Sequence, residues 1–199
     1  NLQKLWREGK FGTAILEKLV DYTKEISVIV ARSEDGGSIP FVPVENVHKS
    51  GILDTTIAPA RISVEVMEDA WEKAHTIADS LELVGVLCVE FFLTKKGGLL
   101  VNELAPRPHN SGHWTMDACI TSQFEQLVRA VCGLPLGNTE YHSIAIMKNL
   151  IGDDVDNWEE FIKDPDTKIH IYGKLQASPG RKMGHITHIL SSSDVVVEE

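Results

Sequence analysis

Apolar residues along the chain fall into alternating or continuous short runs more often than into helical stripes. Ala14–Val20 and Glu25–Arg32 read as strands flanking a short turn, Asp21-Tyr22-Thr23-Lys24; Ile26, Val28 and Val30 alternate with Ser27, Ile29 and Ala31. Ile39–His48 is a third extended segment, and Pro40 and Pro43 suit an edge position. Helical spacing is clear over Glu65–Leu81, where Met67, Ala70, Trp71, Ala74, Ile77, Ala78 and Leu81 mark one face. It returns over Thr115–Cys132, with Ile120, Phe124, Leu127, Val128 and Val131 on one side and Gly133 and Pro135 as the stop. Val84–Thr94 and Leu99–Ala105 form a hairpin around Lys95-Lys96-Gly97-Gly98. Ser143–Leu150, Lys168–Leu175 and Gly184–Leu190 read as further strands, with a short helix near Asn157–Lys163. The expected class is α+β, a mostly antiparallel sheet with flanking helices.

Composition narrows the function. With 19 Lys and Arg against 29 Asp and Glu, the formal charge is −10, which argues against a nucleic-acid partner. No apolar run approaches the ~20 residues of a membrane span, and no secretory leader is expected. The cysteines (Cys88, Cys119, Cys132) are odd in number, lack metal-site spacing and read as reduced, packed thiols of a cytoplasmic protein. The first residue is Asn1, and Leu2-Gln3-Lys4-Leu5-Trp6 looks like the middle of a helix ending at Gly9, so the chain is expected to be a piece of a longer protein. The end from Ser191 to Glu199 reads as a linker or disordered tail.

The sharpest chemical feature is a pair of carboxylates in the hairpin. Val84–Phe92 is apolar nearly throughout except for Glu90, and the returning strand carries the same anomaly at Glu103. If the loop closes with Thr94 opposite Leu99, Phe91 faces Asn102 and Glu90 faces Glu103. Directly opposed residues have Cβ atoms roughly 4.5–5.5 Å apart. Two carboxylates that close in apolar surroundings need one raised pKa or a cation between them, and hard oxygen ligands favour Mg²⁺. The plain alternative is a pair of glutamates pointing to solvent.

Immediately downstream, Ala105-Pro106-Arg107-Pro108-His109-Asn110-Ser111-Gly112-His113-Trp114 is dense in functional groups on a proline-stiffened backbone. Arg107 suits a bidentate clamp for phosphate or carboxylate, and His109 an anion donor or proton shuttle. Far along the chain, Tyr172-Gly173-Lys174 and Pro179-Gly180-Arg181-Lys182-Met183-Gly184-His185 bracket a turn that could join Lys174 and Arg181 as a phosphate site. Solvated basic turns look the same.

Together with Glu17-Lys18-Leu19-Val20, Glu25-Ile26-Ser27-Val28, Val44-Glu45-Asn46-Val47-His48 and Val89-Glu90-Phe91-Phe92, the runs from Val101 to His113 and from Gly180 to His185 resemble the N5-carboxyaminoimidazole ribonucleotide synthases. These are ATP-grasp enzymes, and the likeness extends to about Leu190. It implies that the backbone of Glu17, Lys18, Leu19 and Val20 holds adenine, that Glu25 holds the ribose and that His48 lies near the nucleotide. It further implies Glu90 and Glu103 as Mg²⁺ ligands with Asn102 beside them at the ATP. Arg107, His109 and Asn110 would line the bicarbonate and carboxyphosphate region; Lys174 and Arg181, together with Arg107, would bind aminoimidazole ribonucleotide.

The implied reaction uses ATP and bicarbonate to carboxylate aminoimidazole ribonucleotide in purine biosynthesis. The resemblance also implies a homodimer, a fused or separate mutase as partner, and a cytoplasmic location, or a plastid in a plant host. The implied division is 1–48 for the end of the lid and the adenine linker, 49–140 for the core with its metal and substrate site, 141–190 for a small β-rich C-terminal subdomain, and 191–199 for the tail. The family's front domain and Gly-rich flap are missing from this sequence, so the piece alone is expected to turn over slowly or not at all. Competing readings are a sister ATP-grasp ligase of the glycinamide ribonucleotide transformylase or biotin carboxylase type, and a non-catalytic dimerisation or nucleotide-binding module. The Arg-Lys-Met-Gly-His run favours the synthase over its sisters.

Overall fold

A computed structural model describes residues 4, 7–9 and 15–190. Lys4, Arg7 and Glu8 are helical as expected; Ala14, most of the opening helix and the tail 191–199 lie outside the described residues. The elements are β1 (Tyr22–Arg32), β2 (Ser38–Pro40), β3 (Val44–Lys49), β4 (Ile52–Ala58), α1 (Val64–Ser80), β5 (Gly85–Thr94) and β6 (Leu99–Ala105). There follow α2 (Thr115–Ala118), α3 (Gln123–Val131), β7 (Ile144–Ile151), α4 (Trp158–Phe161), β8 (Thr167–Ile171) and β9 (Lys182–Leu190). The nine strands form one sheet in the order β6-β5-β1-β3-β4-β7-β9-β8, with β2 also on β1. Every pairing is antiparallel. The β4–β7 pairing carries the sheet from the first part of the chain into the last.

The central strands β1 and β5 are buried on both faces, which explains their near-continuous apolar sequence. One face, with Ile26, Val28, Val30, Leu87, Val89 and Phe91, packs under α1, where Ala70, Ala74 and Ala78 are wholly buried. Small side chains at that four-residue spacing bring the helix axis close to the sheet. The other face, with Ile29, Ala31, Val86 and Cys88, is covered by Phe41, Trp114 and Ala118. Ser63 caps α1 by accepting from Val66 N–H.

Several expectations are corrected. Tyr22–Lys24 is strand rather than turn, since the Tyr22 ring stacks on Phe92 at 4.5 Å across the β1–β5 pair, and 15–21 has no regular structure. Ile39–His48 divides into β2 and β3 because Phe41 turns inward and is 1% exposed, its carbonyl accepting from Trp71 Nε1. Strand β4 has no counterpart in the pattern reading; it follows a tight turn in which Ser50 and Gly51 both have positive φ.

The helix expected over 115–132 is broken. α2 ends at Ala118, and Ser122 starts α3 by accepting from Glu125 N–H at 3.2 Å. The buried face of α3 is Gln123, Gln126 and Ala130, while Phe124, Val128 and Val131 of the expected core stripe are exposed. Both glutamines spend their amides on loop backbone, so polar residues win the interior positions by hydrogen bonding.

Candidate functional site

The hairpin places Glu90 of β5 directly opposite Glu103 of β6. Its loop closes one residue tighter than expected, pairing Leu93 with Leu99, Phe92 with Leu100 and Phe91 with Val101 rather than Asn102. A register shift then absorbs Asn102, restoring Glu90 to Glu103. The carboxylate pairing was therefore expected rightly with the turn register wrong by one.

The pair does not sit in apolar surroundings. Glu90 and Glu103 line an open polar cleft of about 490 Å³ with His48, Leu53, His109, Lys174 and Lys182. His109 Nε2 lies 3.0 Å from Glu90 Oε1. That hydrogen bond, together with positive charge from His109, His48 and Lys182, holds the Glu90 carboxyl below its ordinary value despite burial. A raised carboxylate, one of the two outcomes open at the sequence level, does not arise at Glu90. Glu90 and Glu103, paired across the hairpin and lining one cleft with two ammonium groups, offer hard-oxygen donors of the kind a divalent cation takes.

Lys182, which the sequence reading does not single out although it stands inside the quoted run, lines the same cleft. Burial lowers its pKa, Glu90 raises it, and the neighbouring charges of Arg107 and Lys174 lower it further. Arg181, its neighbour, is exposed and donates to Gln176 O within its own turn. Arg181 precedes β9 and stays with the turn, whereas Lys182 is the first residue of the strand. Gly184 serves the sheet, since a Cβ there would come 2.5 Å from His170 O on β8.

The loop after β6 is pinned from α3. Gln123, fully buried, accepts from His109 N at 2.9 Å and donates to His109 O at 2.7 Å and His113 Nδ1 at 3.0 Å. Gly112 fits beneath it because a Cβ would meet Ile29 Cδ1 at 2.1 Å and Gln123 Oε1 at 2.6 Å. His113 packs against His185 at 4.9 Å, and His185 stacks on His170 at 4.6 Å. Burial presses His113 down to about 4 and His185 to about 3, so both are neutral. Asn110 Nδ2 is buried without a partner, a donor aimed at no protein acceptor. Arg107 is exposed and donates to Pro108 O at 3.0 Å.

At the edge of the cleft, Glu25 accepts from Tyr22 Oη at 2.7 Å and contacts His48 Nδ1. Glu17, Lys18 and Leu19 are exposed and Val20 is half-buried, with Leu19 94% exposed. Asn102 is exposed on β6. A larger groove at Ser33, Asp35, Ser38, Gly133 and Leu134 contains none of the expected site residues. Cys88 and Cys119 are buried with thiols pushed up to about 12, which removes them as nucleophiles.

Comparison with known proteins agrees with this geometry. The ATP-grasp domain family matches residues 1–124, and the phosphoribosylaminoimidazole carboxylase C-terminal domain family matches 145–199. The N5-carboxyaminoimidazole ribonucleotide synthase of Brucella melitensis is 52% identical over 176 residues, covering 88% of this chain and 49% of that protein. That of Bacillus subtilis is 51% identical over 192 residues, covering 94% of this chain and 50% of that one. A crystal structure of an N5-carboxyaminoimidazole ribonucleotide synthetase with ADP superposes with a TM-score of 0.85 at 46% identity, over 87% of this chain and 46% of that one. The Aspergillus clavatus synthase in complex with ADP and 5-aminoimidazole ribonucleotide gives 0.84 at 35% identity, over 87% and 48%. The chain thus spans about half the length of the curated relatives it matches. An antiparallel sheet that aligns two acidic residues across a polar cleft, matched over most of its length by these proteins, places the chain in the ATP-grasp family.

Proposed function

We propose that this chain forms part of an ATP-dependent ligase that carboxylates the exocyclic amine of aminoimidazole ribonucleotide with bicarbonate, in purine biosynthesis. The observation that carries the reading is Glu90 opposite Glu103 in a cleft shared with His109, Lys174 and Lys182. The names of the relatives and the ligands of the Aspergillus protein support the substrate.

Glu90 and Glu103 would hold Mg²⁺, which when bound supplies positive charge against the phosphates of ATP. Lys174 and Lys182 bring further positive charge to the same cleft; Lys174, with Arg181, is assigned to the phosphate of the ribonucleotide. Glu17–Val20, Glu25 and His48 are assigned to adenine, ribose and nucleotide, with Asn102 beside the metal. Arg107, His109 and Asn110 are assigned to bicarbonate and to carboxyphosphate, a mixed anhydride that water would destroy before the amine captured it. The proline-stiffened loop around them, pinned by Gln123, holds these groups without mobile side-chain anchors. The division into 1–48, 49–140, 141–190 and 191–199, a homodimer, a mutase partner and a cytoplasmic setting belong to the same proposal. No helix among the described residues is long and apolar enough to cross a membrane.

The test is ADP release by the full-length protein with bicarbonate and aminoimidazole ribonucleotide omitted in turn. Release should need both. Glu103→Gln should lower the Mg²⁺-dependent rate by about 10²-fold or more, as for loss of a group that stabilises transition-state charge. Release indifferent to bicarbonate, or an unaffected Glu103→Gln protein, would overturn the reading.

A further inference from the structure

Asp117, His170 and His185 come together from three elements, α2, β8 and β9, with one ligand atom of each within 4.8 Å of the other two. None of the three lines the cleft that holds Glu90 and Glu103. His170 and His185 are directly opposite on neighbouring strands, and the two Asp117 oxygens lie 3.1 and 2.9 Å from His170 Nε2. That pairing alone is an ordinary hydrogen bond.

His185 is left over. Its side chain is 1% exposed, its Nδ1 lies 2.8 Å from Tyr172 Oη, and its Nε2 has no partner among the described residues. Two more buried atoms without a partner share this patch of sheet: Asn149 Oδ1 of β7, directly opposite His185, and Thr187 Oγ1, two residues along β9 on the same face. Asn149 and Thr187 are both fully buried. Three such atoms on one patch are costly unless something polar meets them.

A hydrated divalent ion meets all three. Two imidazoles and a carboxylate suit Zn²⁺ and its first-row neighbours, whereas Mg²⁺ takes oxygen ligands. An ion at His185 Nε2 requires Nδ1 to carry the proton and donate it to Tyr172 Oη, the outer hydrogen bond by which ligating imidazoles are oriented. His170 would carry its proton on Nδ1 and turn the lone pair of Nε2 to the ion. Three protein ligands leave a position for water, whose protons need acceptors such as Asn149 Oδ1 and Thr187 Oγ1. The imidazole planes stack at 14° and have to open to aim at one ion; the His170 side chain, 33% exposed, has room to turn.

We propose that Asp117, His170 and His185 form a transition-metal site of the zinc type, with Tyr172 orienting His185. Asp117 stands in the stretch matched by the ATP-grasp domain family, and both histidines in that matched by the C-terminal domain family. A shared ion therefore ties β8 and β9 to the segment after β6. Lys174 follows the first of these strands and Lys182 opens the second, so the ion steadies the segments that bring both ammonium groups to the cleft. The site stands independently of the ligase reading.

The experiment uses the full-length protein, stripped with a chelator, dialysed into excess Mg²⁺ to fill all-oxygen sites, and titrated with Zn²⁺ against a chromogenic chelator. Wild type should take up one Zn²⁺ per chain under this competition, and its thermal midpoint should rise with Zn²⁺. His170→Gln and Asp117→Asn should lose both effects, and Tyr172→Phe should bind about 10–100-fold more weakly. X-ray absorption of zinc-loaded wild type needs no variant to fold; it should show nitrogen and oxygen neighbours and no sulfur. A sulfur neighbour at about 2.3 Å would put the ion at Cys88, Glu90 and His109, the other cluster with metal-ligating spacing among the described residues. That result, a wild type that takes up no zinc, or uptake unchanged in both His170→Gln and Asp117→Asn (an adventitious ion only) would each overturn the proposal. An unchanged Tyr172→Phe protein would overturn the orienting role. Loss of bicarbonate dependence with zinc uptake following the expected pattern would count against the ligase reading alone.

Discussion

Gln123 offers the clearest test of how the loop after β6 is held. Gln123→Met keeps volume and hydrophobic contact at a wholly buried position but removes an acceptor for His109 N–H and a donor to both His109 O and His113 Nδ1. Each buried polar group left without a partner costs about 1–3 kcal/mol. The His109 backbone is half-buried and can recover some bonding to water, which puts the net loss at about 2–5 kcal/mol by the same scale. Urea unfolding of the full-length protein would read it as a lower midpoint at unchanged slope. Gln126→Met is the control: among the described residues its amide serves only Gly137, through Nε2 to O at 2.6 Å and from N to Oε1 at 3.0 Å. Both variants should lose stability, but Gln123→Met alone should also impair turnover at temperatures where both stay folded, because it frees the backbone that carries His109. A Gln123→Met protein within about 1 kcal/mol of wild type would refute the assignment, given the cost of even one stranded group.

Two further outcomes follow from packing and charge. Gly184→Ala should part β9 from β8, since its Cβ would meet His170 O at 2.5 Å and backbone cannot swing aside as a side chain can. Amide exchange should quicken along β8, an edge strand, and little elsewhere. His113 and His185 have folded values pushed down to about 4 and about 3 by burial. The unfolded chain therefore binds more protons below about pH 6.5, and stability should fall as pH drops from there toward the folded values. His185→Phe should flatten part of that slope in a thermal melt series from pH 7 to pH 4; an unaltered slope would contradict a neutral buried ring.

Much of this molecule was legible in its sequence, and the limits are physical. The α1 helix and the β5–β6 hairpin came through because their signals are local: helical spacing of alanines, and two apolar runs around a glycine-bearing turn. The pairing of Glu90 with Glu103 was readable too, although an offset in the turn and a bulge at Asn102 had to cancel for it to hold. What stayed hidden depended on contacts between distant segments. The stripe Phe124, Val128 and Val131 suggested a core face, yet Gln123 and Gln126 occupy the interior, because only the folded chain brings unpaired loop backbone within reach of their amides. Asp117, His170 and His185 look like ordinary polar residues in separate segments, and Lys182 like the neighbour of a more obvious arginine. Periodicity reports which way a side chain points within its own element, whereas a cluster drawn from a helix and two strands exists only once strand order and register are set. The residue types and their local spacing thus determined the elements and the acidic pair. The tertiary structure decided which polar groups are buried and partnered, since burial and bonding depend on what the rest of the chain places alongside.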